Sequence, residues 1–112
     1  MHAGELRARL TAIGLTLNHF TRLVGMDSRN ARRQESGKTP VTDGTVRALY
    51  EAEELSRELT EDYRVNGEAV VPRWNKNAWD EEADRFPPSF YHASAARLTG
   101  QVPIRYEDET RD

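Results

Sequence analysis

The chain has 112 residues, no cysteine and a formal net charge of -3; 37% of it is hydrophobic and its mean hydropathy is -0.83. This excludes disulfides and thiolate metal sites, and it leaves no apolar run long enough to span a membrane or to act as a signal-peptide core after Met1. A chain this short and polar makes one ordinary domain, or a small domain with an appended piece, and a core of that size leans on a partner subunit.

The charge is unevenly spread. Residues 1–50 hold eight Lys/Arg against four Asp/Glu, a balance of +4, while residues 51–112 hold eight against fifteen, a balance of -7. Such an asymmetry draws a polyanion to the N-terminal half and repels it from the other.

In chain order, Leu6, Leu10 and Ile13 recur at spacings of four and three and predict a first helix over 5–13, ended by Gly14. Thr16 is a natural N-cap for a second helix over 17–24, whose apolar stripe is Phe20, Leu23 and Val24. Thr21 is small enough to let a second helix approach. Gly25 tolerates the positive φ of a sharp turn, Met26 plugs the space between helices, and Asp27 caps a third helix over about 28–35. Ser28, Arg29, Arg32 and Arg33 fall on its outer side, with Asn30 facing sideways; Gly37 and Pro40 prevent its continuation.

Thr42 or Asp43 then caps a longer helix reaching about residue 63, with Val46, Leu49, Tyr50, Leu55 and Leu59 as its apolar side. Its acidic side, from Glu51 to Asp62, reads as a solvated face. Asn66-Gly67 is a turn that closes the first unit, 1–65. The remainder, 66–112, reads as strand, helix, helix, strand. The strands span 69–74 and 101–107, each with an internal proline; the helices span 78–85, capped by Asn77, and 90–99, capped by Ser89. Two short strands are marginal alone, and this half holds most of the aromatic residues. Aromatic side chains anchor interfaces, so Val71, Trp74, Trp79, Phe90, Tyr91, Ile104 and Tyr106 are expected to form a dimer interface.

The run LTLNHFTRLVGMDSRNARRQESGKTPV resembles the Cro/cI-type (XRE) helix-turn-helix repressors over about residues 5–59, most tellingly in QESGKTPV, the turn that follows the recognition helix in that family. It departs at Gln34, where the family has Trp or a large aliphatic, at Ala31, where it has Val or Ile, and at Leu17, where it often has a phosphate-reaching Gln. The first two thin the helix–helix contact; the third leaves one phosphate clamp without its residue. The resemblance implies a mainly α fold: a five-helix lambda-repressor-like domain over 1–65, followed by a small α+β dimerisation domain over 66–112. It implies a sequence-specific repressor, bound as a homodimer to an inverted-repeat DNA operator with half-sites about one helical turn, roughly 34 Å, apart. Ser28, Arg29, Asn30, Arg32 and Arg33 are the candidates for base edges and adjoining phosphates; Thr16, Asn18 and Lys38 are the candidates for phosphate contacts. The layout of the whole chain, through PRWNKNAWDEEADRFPPSFYHASAARLTG, also resembles the anti-CRISPR-associated (Aca) autorepressors of phages, which implies a cytoplasmic protein encoded by a bacterium or phage.

Other chemistries are weaker. Three arginines on one helix would also suit an ordinary solvated face, but the turn glycine, the cap and the ESGK turn favour DNA. His2, His19 and His92 share no metal-ligand spacing; His19 is either a phosphate contact or, preferably, an exposed ring, and His92 is a partly buried packing residue. The acids Asp80, Glu81, Glu82 and Asp84 lack calcium-loop spacing and read as a helix start. No catalytic constellation, metal site or cofactor is expected. The rival readings are an antitoxin-type helix-turn-helix protein that docks a toxin partner, and RNA binding by the same basic face.

Overall fold

The first three helices are set by short-range hydrogen bonds. In the computed structural model, which describes residues 1–73 and 86–110, α1 runs Ala3–Ala12, α2 Leu17–Val24 and α3 Ser28–Glu35. The Thr16 hydroxyl accepts the His19 amide at 3.1 Å and His19 Nδ1 accepts the Thr16 amide at 3.4 Å, a reciprocal capping box. Asp27 Oδ1 accepts the Arg29 amide at 3.0 Å at the start of α3. Between α2 and α3, Gly25 takes φ 68°, with its amide bonded to the Thr21 carbonyl.

The long helix α4 runs Asp43–Asn66, three residues beyond the expected end, and Thr42 is its cap: the Thr42 hydroxyl accepts the Thr45 amide at 3.2 Å. Its buried stripe differs from the expected one. Thr45, Leu49, Ala52, Ser56, Thr60 and Tyr63 are buried, whereas Tyr50 and Leu55 are 48% and 45% exposed. Small and hydroxylated residues line this stripe because another helix, α5 (Pro88–Ala96), lies close against it. Ser56 and Ser94 hydroxyls meet at 3.0 Å, and the Thr60 hydroxyl is within hydrogen-bond reach of the Ser56 and Ser94 carbonyls. Each buried hydroxyl is therefore satisfied, and no bulky side chain would fit.

α5 begins earlier than expected, with Pro88 supplying the preset φ of a first helical residue. Ser89 is not its cap; the Ser89 hydroxyl donates to the Gly14 carbonyl at the end of α1. The strands β1 (Ala69–Val71) and β2 (Ile104–Tyr106) pair in parallel, Ala69 against Ile104 and Val71 against Tyr106. They are shorter than expected because Pro72 and Pro103 have no amide to donate, although the Pro103 carbonyl still accepts the Ala69 amide at 2.9 Å. The expected helix at 78–85, its Asn77 cap and the Trp74 end of the first strand lie outside the described residues.

Among the described residues the chain is thus mainly helical, with one small two-stranded parallel sheet. Leu6, Leu10, Ile13, Phe20, Leu49 and Phe90 share one buried cluster; Tyr63, Ala69, Val71, Ala95 and Leu98 share a second, and Leu59 of α4 touches both. Among the described residues no helix is long and apolar enough to cross a membrane.

Candidate nucleic-acid interface

α3 is eight residues long, and only two of its side chains are buried: Ala31 and Gln34, at 1% and 4% exposure. Ser28, Arg29, Asn30, Arg32 and Arg33 are exposed, and so is Lys38 in the turn beyond. Thr16 and Asn18, at the N-terminal end of α2, are exposed as well. All eight sequence candidates therefore lie at the surface. Thr16 already spends its hydroxyl as an acceptor in the capping box, which leaves its O–H free to donate outward.

The electrostatics separate these cations from six arginines elsewhere in the chain. Arg7 pairs with Glu35 at 3.2 Å, Arg9 with Glu53 at 2.6 Å and Glu5 at 3.0 Å, Arg57 with Glu54 at 2.7 Å, Arg73 with Asp108 at 2.8 Å, and Arg105 with Glu68 at 3.5 Å. Arg64 pairs with Glu61 as well. The bonds to Glu53 and then Glu5 push the Arg9 guanidinium above its ordinary value, and that to Asp108 does the same for Arg73 while lowering Asp108. Arg29, Arg32, Arg33 and Lys38, by contrast, have no acidic partner among the described residues. The two acids nearest them are already used. Asp27 caps α3, and the Glu35 carboxylate is turned to Arg7 on α1. The result is an exposed helix face of unneutralised positive charge, bounded by a neutralised end. Such a face can attract phosphates, and its arginines can donate two parallel hydrogen bonds to a guanine edge.

Two residues that matter to this surface were not apparent from the sequence. His19 is buried, at 8% exposure, and not an exposed ring; its imidazole stands in the capping box where a Glu or Gln side chain is usual. Gln34 is buried, and its Oε1 accepts the Thr42 amide at 3.1 Å. Arg47, on α4 beside a groove that Leu23 and Val24 of α2 also line, is a further exposed cation without an acidic partner among the described residues. The expected dimer set divides. Val71 and Phe90 are 4% and 2% exposed, buried in the chain's own two clusters, and so they leave the set. Ile104 is 42% exposed, Tyr91 and Tyr106 are half-buried, and Trp74 and Trp79 lie outside the described residues. His92 packs as expected, its Nε2 2.6 Å from the Pro72 carbonyl. Among the described residues no group of three or more His, Cys, Asp or Glu could hold a metal ion. Comparison with protein-family models, with curated proteins and with solved structures finds no match to this chain.

Proposed function

We propose that the chain is a sequence-specific DNA-binding repressor of the XRE helix-turn-helix type, with α2 and α3 as the helix-turn-helix and α3 as the recognition helix. The reading is supported above all by one observation: among the described residues the cations on and just after α3 have no acidic partner, while Arg7, Arg9, Arg57, Arg64, Arg73 and Arg105 are each held by a carboxylate. In this reading Arg29, Arg32 and Arg33 read base edges or adjoining phosphates, with Ser28 and Asn30 beside them. Thr16, Asn18 and Lys38 bind the backbone on either side and fix the register. A homodimer, using the exposed part of the C-terminal half around Ile104, Tyr91 and Tyr106, sets two such helices on an inverted repeat. The repressed operon is its own, in the manner of the anti-CRISPR-associated repressors.

The test is a gel shift of the purified protein on the DNA upstream of its own reading frame, at stated salt, beside an unrelated duplex. Arg29→Ala or Arg33→Ala should relax preference at one base pair of each half-site, by roughly 1–3 kcal/mol. Lys38→Ala should weaken all sequences alike and reduce the salt slope by about one unit per half-site. If all three variants bind the upstream duplex as the parent does, α3 is not the reading element. A light-scattering mass equal to one chain at micromolar concentration removes the homodimer.

A further inference from the structure

α4 lacks half of its own capping box. The Thr42 hydroxyl accepts the Thr45 amide, but the reciprocal bond, from the Thr42 amide to a side chain three residues on, is missing, because the Thr45 hydroxyl meets the Thr42 hydroxyl at 2.9 Å instead. The acceptor comes from a different helix: Gln34 Oε1, in the last turn of α3, receives the Thr42 amide at 3.1 Å. We infer that Gln34 is the positioning residue of the DNA-reading surface, setting the tilt of α3 by completing the cap of α4.

The inference rests on the DNA reading above. α3 packs against α1 and α2, but few directional contacts fix its orientation. Ala31 offers one methyl group to the core, and the Arg7–Glu35 pair, with side chains 62% and 26% exposed, is a solvent-screened contact. A hydrogen bond is directional where apolar packing is not, so it fixes the orientation of a helix that buries only two side chains.

Gln34→Met keeps length and shape but removes the strong acceptor; Gln34→Glu keeps both shape and acceptor. In the full-length protein, Gln34→Met should reduce discrimination between operator and unrelated duplex about tenfold, the equilibrium equivalent of one buried hydrogen bond. It should leave the salt slope unchanged, because no phosphate contact is lost. Hydrogen exchange should show faster exchange at the Thr42 amide and along α3, with α1 unaffected, and Gln34→Glu should restore both readouts. Unchanged discrimination in Gln34→Met, uniform loss of protection across all helices, or failure of Gln34→Glu to restore the parental ratio would overturn the inference. If Gln34→Met does not fold, Gln34→Glu decides alone, since reduced discrimination with the acceptor retained refutes it. If the parent shows no operator preference, the DNA reading fails, and the exchange comparison still decides whether Gln34 couples α3 to α4.

Discussion

Replacing either of two glycines by alanine separates a local conformational cost from a tertiary one. Gly14 and Gly25 both sit at positive φ, 75° and 68°, so alanine at either position adopts a disfavoured backbone, at about 1–2 kcal/mol. At Gly25 nothing lies within 4 Å of the added Cβ, and the cost ends there. At Gly14 the Cβ would fall well inside 3.0 Å of the Ser89 carbonyl, a backbone group that cannot rotate away. The start of α5 must then recede from α1, which adds about 1–3 kcal/mol of overpacking and about 1 kcal/mol for the Ser89–Gly14 hydrogen bond. Gly14→Ala should therefore cost about 3–6 kcal/mol in total, a large share of the roughly 5–15 kcal/mol that holds a domain together. In urea, at roughly 1.5 kcal/mol per M, the midpoint should fall by about 2–4 M for Gly14→Ala and by about 1 M for Gly25→Ala. Equal shifts for the two variants would mean that α5 does not rest on the end of α1, and the reasoning about Ser89 would fail.

Three further outcomes follow from the packing and the charge. Leu55→Ala should cost only about 1 kcal/mol because the side chain is 45% exposed, whereas Ser56→Val should cost about 2–4 kcal/mol through overpacking and a lost buried hydrogen bond, both read by urea unfolding. Burial, with Tyr91 adding to it, pushes the Tyr63 hydroxyl up to about 12 from 10.0. The unfolded chain gives up that proton first, so stability should fall as pH rises from 10 to about 12. Phenolate absorbance should register one late-titrating tyrosine that Tyr63→Phe removes. Phe90→Ala should cost about 3–5 kcal/mol without changing the oligomeric state, because Phe90 is a core residue of one chain. A dimer that dissociates on Phe90→Ala while the fold stays stable would reverse that assignment.

Sequence alone was sufficient where the controlling contacts lie within one turn. The spans of α2 and α3, the turn at Gly25, and the caps Thr16 and Asp27 depend on bonds between residues two to five apart, and residue type at that spacing encodes them directly. The exposure of Ser28, Arg29, Arg32 and Arg33 follows from the same helical period around Ala31. The buried stripe of α4 was illegible for the opposite reason. Hydropathy favours Tyr50 and Leu55 over Ser56 and Thr60, but the neighbour that decides is Ser94 on α5, 38 residues from Ser56, and a hydroxyl with a partner is cheap to bury.

What only the tertiary structure decided are pairings between distant segments. Ser89 carries a capping residue's chemistry, yet its hydroxyl goes to Gly14, 75 residues away. Val71 and Phe90 have the composition of interface anchors, yet they fill their own chain's core, because apolar area is buried wherever it first finds a complement. Nothing in the order of residues from Gln34 to Thr42 announces that one helix caps the next; that bond exists because the turn at Ser36 and Gly37 folds α3 back onto the start of α4. Local residue chemistry specified the helices and the positive face between them, while the directions in which those helices point were set by hydrogen bonds and contacts that close only once the chain has folded.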